Sequence, residues 1–211
     1  MKNIIAHRGF WTDVAEQNTH NAFVRALSNG FGIETDLRDH NESLVISHDM
    51  PNNQSITFDT FLNICKEFSK ESVLALNVKA DGLQEALKKC DIANQHFYFD
   101  MSVPDMLGYH RNNMVVYSRY SDIENYPALY DECQGVWLDN FKNEDLDVLA
   151  LKKFLTDGKK VVLVSPELHK RDEKSFWLNL KNFIHSNQNF LDLIGLCTDY
   201  PSKARDYFNE Q

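Results

Sequence analysis

Two histidines and two carboxylates near the amino terminus are the side chains best suited to chemistry. His7 and His48 can transfer protons near neutral pH, because imidazole titrates there. Glu34 and Asp36 are two positions apart in an apolar segment, so on a strand their side chains share one face. Two carboxylates on one face repel each other unless a cation joins them, and Mg²⁺ or Ca²⁺ prefers such oxygen ligands. This set predicts acid–base chemistry assisted by a divalent metal.

Basic residues close to this set predict that the bound group is a phosphate. Arg8 follows His7 directly, and Lys79 follows a later apolar segment. Arg offers phosphate a planar fork of donors, whereas Lys offers a point charge. Hydrolysis of a phosphodiester needs a base, an acid and cations that hold the phosphoryl charge, and these residues supply all three. Arg119, which ends another apolar segment, is expected to be a further anion contact.

Short apolar segments alternate with helical patterns along the whole chain, and these elements must position the polar residues. The pattern predicts about eight parallel strands with intervening helices, which leaves a closed barrel or an open doubly wound sheet. No glycine-rich phosphate loop follows the first segment, as a Rossmann domain requires. We therefore expect an α/β protein that is a single compact (β/α)8 TIM barrel, with one domain over residues 1–211. The expected strands are 4–7, 31–37, 44–48, 73–78, 97–101, 115–118, 135–138, 161–165 and 193–198. A first helix is expected with 22–27 as its middle and its cap near Asn18 or Thr19, and the other expected helices are 58–68, 83–90, 104–109, 145–155, 174–184 and 203–208.

The ends of the predicted strands carry most of the residues with possible chemistry. In a (β/α)8 barrel the chemistry lies at the carboxyl ends of the strands. Most of the predicted strands end on a residue that can bind a metal, move a proton or pair with a phosphate. These residues are His7, Arg8, Glu34, Asp36, His48, Asp49, Asn77, Lys79, Asp100, Arg119, Asp139, Glu167 and Asp199.

Composition limits the partners of the chain. The net charge of -9 argues against nucleic acid, whose phosphates need basic faces. The longest apolar runs are strand-sized, and no basic amphipathic helix is evident, so stable membrane insertion is not expected. No signal-peptide pattern fits the amino terminus, and four dispersed cysteines predict buried free thiols, so we expect a cytoplasmic protein. The expected partner is a small-molecule phosphodiester, and the oligomeric state is not indicated.

The first fifty residues resemble the glycerophosphodiester phosphodiesterase family. That family opens with a strand ending in His-Arg-Gly, a Glu-Asn-Thr segment that begins a helix, a Gly-x-x-x-Glu-x-Asp strand and a His-Asp pair. Later segments, Asn77-Val78-Lys79 and Thr198-Asp199-Tyr200-Pro201, are similar to its Glu-x-Lys strand and its closing Thr-Asp-x-Pro, and the second half looks like a divergent bacterial subgroup. The matching early segments, in the same order and spacing, are Ile5-Ala6-His7-Arg8-Gly9, Gln17-Asn18-Thr19, Gly30-Phe31-Gly32-Ile33-Glu34-Thr35-Asp36 and Val45-Ile46-Ser47-His48-Asp49.

This resemblance implies a (β/α)8 barrel, hydrolysis of a glycerol-type phosphodiester and one divalent metal. In the family's usual mechanism a neighbouring hydroxyl of the substrate attacks phosphorus, and water then opens the cyclic phosphate. The implied roles are acid and base for His7 and His48, metal ligands for Glu34, Asp36 and position 77, and phosphate contacts for Arg8 and Lys79.

The chain departs from the family pattern at two positions. Asn77 stands where the family has its third metal-binding Glu, and an amide oxygen brings no charge, so metal affinity should fall. Gln17 replaces the usual Glu before Asn-Thr, with Glu16 one position away. Asp139 and Glu167 are candidates to compensate for the missing carboxylate.

Two other functions remain open from the sequence. One is a metal-independent phosphodiesterase that resembles bacterial phosphatidylinositol phospholipases, in which a cationic side chain replaces the metal; Asn77 points in that direction. The other is a phosphate-binding barrel without turnover, which the retained pair His7 and His48 disfavours. The sequence does not indicate which phosphodiester is cut.

Overall fold

The structure, a computed structural model, describes Met1 and residues 3–209 of the chain. Lys2, together with Glu210 and Gln211 at the end of the predicted domain, lies outside the described residues. The chain divides into two units. Residues 5–116 form the amino-terminal unit, and residues 1–4 with 117–211 form the carboxy-terminal unit.

Helices follow most of the parallel strands in both units, as the apolar periodicity predicts. Short 3₁₀ turns occur at Val14–Glu16, Pro166–His169 and Gln188–Leu193. None of the helices within the described residues has the length and the apolar sequence needed to cross a membrane. The strands are β1 (Asn3–His7), β2 (Gly32–His40), β3 (Ser43–Ile46), β4 (Ile56–Thr57), β5 (Leu74–Val78), β6 (His96–Phe99), β7 (Tyr117–Tyr120), β8 (Gly135–Leu138), β9 (Lys160–Val164) and β10 (Ile194–Thr198), and the helices are α1 (His20–Ser28), α2 (Phe58–Lys66), α3 (Gln84–Leu87), α4 (Val103–Arg111), α5 (Val148–Thr156), α6 (Lys174–Ser186) and α7 (Pro201–Asn209).

Parallel strands of the amino-terminal unit align the predicted site residues. β1 pairs with β2, β2 with β5, and β5 with β6, all in parallel. In this register His7 lies opposite Glu34, and Asp36 lies opposite Asn77. The carboxyl ends of these strands therefore meet at one edge of the sheet.

One strand differs from the expectation. Segment 44–48 forms β3, which ends at Ile46 and runs antiparallel to the end of β2. The chain reverses because Asn41 and Glu42 both take positive φ values, 48° and 64°, which suits a two-residue hairpin turn. His48 consequently lies in the connection after β3 and not at the end of a parallel strand.

Helices α1 and α2 cover the amino-terminal unit with aromatic side chains. Phe23 and Phe61 are fully buried, and their ring centroids lie 4.8 Å apart in an edge-to-face pair. Each helix begins at a capping threonine: Thr19 Oγ1 accepts from the amide of Ala22, and Thr57 Oγ1 accepts from the amide of Thr60. Burial of this face fixes the segments that precede both helices, which carry site residues.

The carboxy-terminal unit contains four parallel strands, with α5 between β8 and β9 and α6 between β9 and β10. β7 pairs with β8, β8 with β9, and β9 with β10. Leu151 of α5 and Leu180 of α6 are fully buried. Trp177 of α6 is also buried, and its indole Nε1 donates to Ser165 Oγ at 2.8 Å. The side chains of the segments that follow these strands accordingly share one edge of this unit.

Gly9, directly after the His7-Arg8 pair, packs against helix α1. Its φ is +84°, and a Cβ at this position would lie 2.8 Å from the Cβ of Ala22 and 2.9 Å from its carbonyl carbon. We expect Gly9→Ala to lower the free energy of unfolding by about 2–3 kcal/mol, because it adds a clash to the cost of a positive φ. Denaturant unfolding measures the change.

Gly30 offers a matched control within the same unit. Its φ is +74°, and nothing lies within 4 Å of an added Cβ. Gly30→Ala should therefore cost only about 1 kcal/mol, the contribution of backbone strain alone. Equal losses of unfolding free energy in the two variants would show that the close contact of Gly9 with Ala22 does not affect stability.

Candidate active site

The turn after β1 brings Arg8 towards the carboxylates of β2. Arg8 has a φ of 56°, a conformation uncommon for a residue with a side chain and found mostly where the surroundings enforce it. The backbone amide of Arg8 donates to Glu34 Oε2 at 3.3 Å, and the backbone amide of Asn18 donates to the Arg8 carbonyl at 2.9 Å. These bonds, with the close packing of Gly9, fix the direction in which the guanidinium leaves the backbone.

Asp36 is the centre of a buried charge network. It is 1% exposed, and its Oδ1 lies 3.4 Å from the Lys79 ammonium. Its Oδ2 accepts from Asn18 Nδ2 at 2.8 Å and lies 3.3 Å from Arg8 Nε. Asn18 also accepts from Thr35 Oγ1 at 2.8 Å, so its orientation is set on both sides. The sequence pattern identified Asn18 only as a possible helix cap, because its partners lie seventeen and eighteen residues further along the chain.

Glu34 carries a second buried charge with weaker compensation. It is 2% exposed, and burial, reinforced by the neighbouring charge of Asp36, raises its pKa to about 7. His7 Nε2 lies 3.9 Å from Glu34 Oε2, and this ring together with Lys79 and Arg8 acts in the opposite direction. The pair of carboxylates is therefore a place where an added cation would be electrostatically stabilised.

Asn77 contributes an unsatisfied acceptor beside Asp36. Its Nδ2 donates to Asp100 Oδ2 at 3.2 Å, whereas its Oδ1 is buried and forms no hydrogen bond with any described residue. Arg8 Nε is likewise buried and, although near Asp36, lacks hydrogen-bond geometry. Buried polar atoms without partners are rare and call for an explanation, such as a ligand that completes them. One orphaned acceptor and one orphaned donor thus flank the same carboxylate.

The oxygen donors of this network are of the type that a hard divalent cation binds. Their total negative charge is lower than that of three carboxylates. Glu34, Asp36 and the amide oxygen of Asn77 are ligands that Mg²⁺ and Ca²⁺ accept. No group of three or more His, Cys, Asp or Glu side chains within the described part of the chain is placed to hold a metal ion. The third donor here is an amide, which lies outside those residue types. A metal at this position would also have to share Asp36 with Arg8 and Lys79.

His48 lies on the wall of an open cleft. Its side chain is 45% exposed, and Nδ1 pairs with Asp49 Oδ1 at 2.8 Å, while its carbonyl accepts from the Arg38 guanidinium at 3.2 Å. An Nδ1–H held by a carboxylate leaves Nε2 as the proton acceptor. The cleft has a volume of about 440 Å³ and is lined by Arg8, Val14, Gln17, Asn18, Thr19, Ile46, Ser47, His48, Asp49, Met50, Asn52, Gln54, Ser55 and Ile56.

The structure shows which of the neighbouring side chains, Glu16 or Gln17, contacts Arg8. Arg8 Nη1 donates to Gln17 Oε1 at 3.1 Å. Glu16 is bound elsewhere: it accepts from Arg25 Nη1 at 2.8 Å and from Thr12, and these bonds lower its pKa to about 2. Of these two side chains, the one that contacts Arg8 is therefore neutral, so position 17 adds no second negative charge to that of Asp36 beside the guanidinium.

The remaining candidates belong to the carboxy-terminal unit, where each has a partner. Arg119 Nε lies 2.7 Å from Glu124 Oε2, and its guanidinium lies 5.7 Å from the centre of the Phe141 ring. Asp139, which follows β8, accepts from His169 Nε2 at 2.7 Å. Local sequence patterns predict no partner for His169, because the two residues are thirty positions apart and meet through the pairing of β8 with β9.

Glu167 is satisfied within the same unit. Its carboxylate accepts from the hydroxyls of Ser165 and Thr198 and, at 3.1 Å, from the amide of Asp199. Burial raises its pKa, and these hydrogen bonds oppose the rise. Glu167 therefore ties the end of β9 to the end of β10.

Comparison with solved structures identifies the fold. A phosphodiesterase from Oleispira antarctica, solved in complex with the product sn-glycerol-3-phosphate, is 16% identical with a TM-score of 0.70 over 99% of this chain and 97% of that one. A glycerophosphodiester phosphodiesterase from Agrobacterium tumefaciens is 14% identical with a TM-score of 0.67 over 98% and 100%. A structure from Galdieria sulphuraria is 15% identical with a TM-score of 0.68 over 100% and 98%. No protein-family model and no curated protein matches the sequence. The chain is an α/β protein with the (β/α)8 barrel fold, as predicted.

Proposed function

We propose that this chain is a metal-assisted phosphoric diester hydrolase that cleaves a glycerophosphodiester or a similar head-group or sugar diester. The observation that carries the proposal is the pair of orphaned polar atoms beside Asp36, the donor Arg8 Nε and the acceptor Asn77 Oδ1. A phosphodiester oxygen would accept the hydrogen bond from Arg8 Nε. A cation or a hydroxyl of the substrate would be the partner of Asn77 Oδ1. The likeness in fold to phosphodiesterases supports the same reaction class.

In this proposal the phosphoryl oxygens bind to Arg8, with Lys79 as a second cation. A hydroxyl of the substrate attacks phosphorus while one of His7 and His48 accepts its proton, and the other donates a proton to the leaving oxygen. Water then opens the cyclic phosphate with the two roles exchanged. Glu34, Asp36 and Asn77 would hold a divalent ion, Mg²⁺ or Ca²⁺, which when bound stabilises the phosphoryl charge.

A metal-independent form of the reaction is the second candidate, because Asp36 already pairs with two cations. Lys79 and Arg8 lie 3.4 Å and 3.3 Å from its two oxygens, so the protein's own charges occupy the carboxylate that a metal would use. Arg8 and Lys79 would then carry the stabilisation of phosphoryl charge alone. Arg119, a proposed anion contact in the sequence, stays a prediction under either form.

The deciding experiment is a metal titration with phosphodiester substrates. Protein treated with chelator is assayed on glycerophosphodiesters while Mg²⁺, Ca²⁺ or Mn²⁺ is added, with a His7→Ala/His48→Ala double variant to exclude a contaminant. Turnover that needs metal supports the first candidate, and full turnover in chelator supports the second. Folded protein that turns over no diester in any condition would contradict both and leave a phosphate-binding role.

Gln17 provides a test of how Arg8 holds its anion. Gln17→Glu should weaken the binding of sn-glycerol 3-phosphate by about fivefold, because a charged acceptor holds a guanidinium about 1 kcal/mol more firmly than an amide does. Calorimetric titration measures the affinity. Gln17→Met removes the hydrogen bond without adding charge and serves as the control. Equal weakening in the two variants would mean that geometry, not the neutrality of position 17, matters.

Three further expectations from the sequence stay predictions. These are one domain over the whole chain, a cytoplasmic location and a small-molecule partner in preference to nucleic acid or membrane.

A further inference from the structure

Two strongly exposed apolar side chains stand in the cleft that Arg8 and His48 line. Val14 is 66% exposed and Met50 is 88% exposed, and both belong to the cleft lining. We call Val14 and Met50 the apolar rim. Single exposed apolar residues are ordinary on protein surfaces. Here, however, two of them border the same cleft as an arginine and a histidine.

The segments that carry the apolar rim are held by local hydrogen bonds. Val14 begins the 3₁₀ turn Val14–Glu16, which Asp13 caps through the amide of Ala15 and which Glu16 ties to Arg25. The rim is therefore presented on one side by a fixed turn.

Met50 lies in the connection after β3, which is also bonded internally. Ser47 Oγ donates to the Asp49 carbonyl at 3.0 Å, and the Asn52 amide donates to Ser55 Oγ at 3.1 Å. Methionine is flexible and polarisable, so it adapts to apolar ligands of irregular shape. The cleft thus joins a polar wall to an apolar edge within one volume.

We propose that the apolar rim binds the alkyl chain of a single-chain phosphodiester whose phosphate is held by Arg8. This inference rests on the proposed function and narrows its substrate class to amphiphiles with one chain. Binding energy from such a remote chain can be used to hold the phosphate in position for reaction. The substrate would therefore be a monoalkyl or monoacyl glycerophosphodiester and not the bare head group.

The charges around the rim favour a dissolved monomer over a bilayer. Asp13 is exposed, Asp49 is 94% exposed, and the chain carries a net charge of -9. Anionic membrane surfaces attract basic segments and repel acidic ones. The chain of the substrate is accordingly expected to reach the rim from solution.

The test measures kcat/KM for a series of glycerophosphodiesters that carry methyl to hexyl chains, all below the concentration at which they aggregate. Complete burial of a methylene is worth about fourfold, so partial burial in an open cleft should give about twofold per methylene and about 30-fold from methyl to hexyl. The double variant Val14→Ser/Met50→Ser should flatten this slope. Leu149→Ser is the matched control, since Leu149 is 82% exposed on α5 and is not part of the cleft lining; it should keep the wild-type slope.

A binding measurement separates this inference from the proposed function. The chain has five methionines, and the ¹³C-labelled methyl signal of Met50 is assigned by its loss in Met50→Ser. Hexyl phosphate should shift this signal, whereas methyl phosphate should not. A shift of the Met50 signal without turnover of any diester would support alkyl binding at the apolar rim and contradict the proposed hydrolase activity. Turnover without dependence on chain length, a slope unchanged by the double variant, or activity on the hexyl substrate only in the presence of vesicles would overturn the rim proposal.

Discussion

Replacement of His7 or of His48 by alanine is expected to lower kcat for phosphodiester cleavage by about 10²–10⁴-fold. A positioned proton donor or acceptor contributes this much to catalysis, and each histidine is assigned one of the two proton transfers. His7 adjoins the Glu34 carboxylate, and His48 has its Nδ1 fixed by Asp49 on the cleft wall. Steady-state kinetics on a glycerophosphodiester, whose glycerol carries the neighbouring hydroxyl that the mechanism requires, measure the effect.

His40→Ala is the matched control for these variants. The His40 side chain bonds to Asn53 at 3.0 Å and is not part of the cleft lining, so its removal should leave kcat within about twofold, as is usual for a residue that takes no part in the chemistry. The double variant of His7 and His48 should be little slower than the slower single variant, because acid and base act as a unit. If either single variant kept more than a tenth of the wild-type kcat, that histidine would have no role in proton transfer.

Asn77→Glu is expected to raise the affinity for Mg²⁺ or Ca²⁺ by about 10–100-fold, the range by which changes near a metal alter its binding. Position 77 lies opposite Asp36 on the neighbouring strand, so a carboxylate there would join Glu34 and Asp36 on one face. Added ligand charge is a main determinant of affinity for these cations. Calorimetric titration of chelated protein measures the binding directly, independently of turnover.

The same variant should also be less stable without metal. Asn77 Nδ2 now donates to Asp100 Oδ2, and a glutamate would replace this bond by a repulsion between two carboxylates. Thermal unfolding of Asn77→Glu should therefore begin at a lower temperature in chelator and recover when the metal is added. Asn77→Gln, with the same chain length and no charge, is the control. Equal metal affinities for the Glu and Gln variants would remove position 77 from the ligand set.

Much of the fold could be predicted from local patterns. Apolar segments with a strand's length, alternating with amphipathic helices, indicated repeated βα units, and the solved structures of the same fold confirm the barrel. The spacing of Glu34 and Asp36 placed two carboxylates on one face, and both are buried in β2. The exception was segment 44–48, whose apolar run Leu44-Val45-Ile46 suits a hairpin strand as well as a parallel strand. The positive φ values of Asn41 and Glu42 and the antiparallel pairing with β2 distinguish the two.

The pairing of the charges in the site was much harder to predict from the sequence. Glu16 and Gln17 are adjacent, and nothing local decides which of them meets Arg8. The contact depends on Arg25, which lies in the last turn of α1 and forms the ion pair with Glu16. In the same way, the pairing of Asp139 with His169 needs two strands to lie side by side before the contact exists.

The sequence by itself determined the alternation of strands and helices and the residue types that lie at the strand ends, because periodicity and local turn chemistry act over a few residues. It also supplied the two histidines, two carboxylates and two basic residues that the proposed reaction would use. Only the tertiary structure decided how these charges are paired and that Asp36 is held by both Arg8 and Lys79. It also decided that Asn77 Oδ1 and Arg8 Nε form no hydrogen bond with any of the described residues. The physical reason is that burial and electrostatic pairing depend on distances between atoms far apart in the chain, which packing alone establishes.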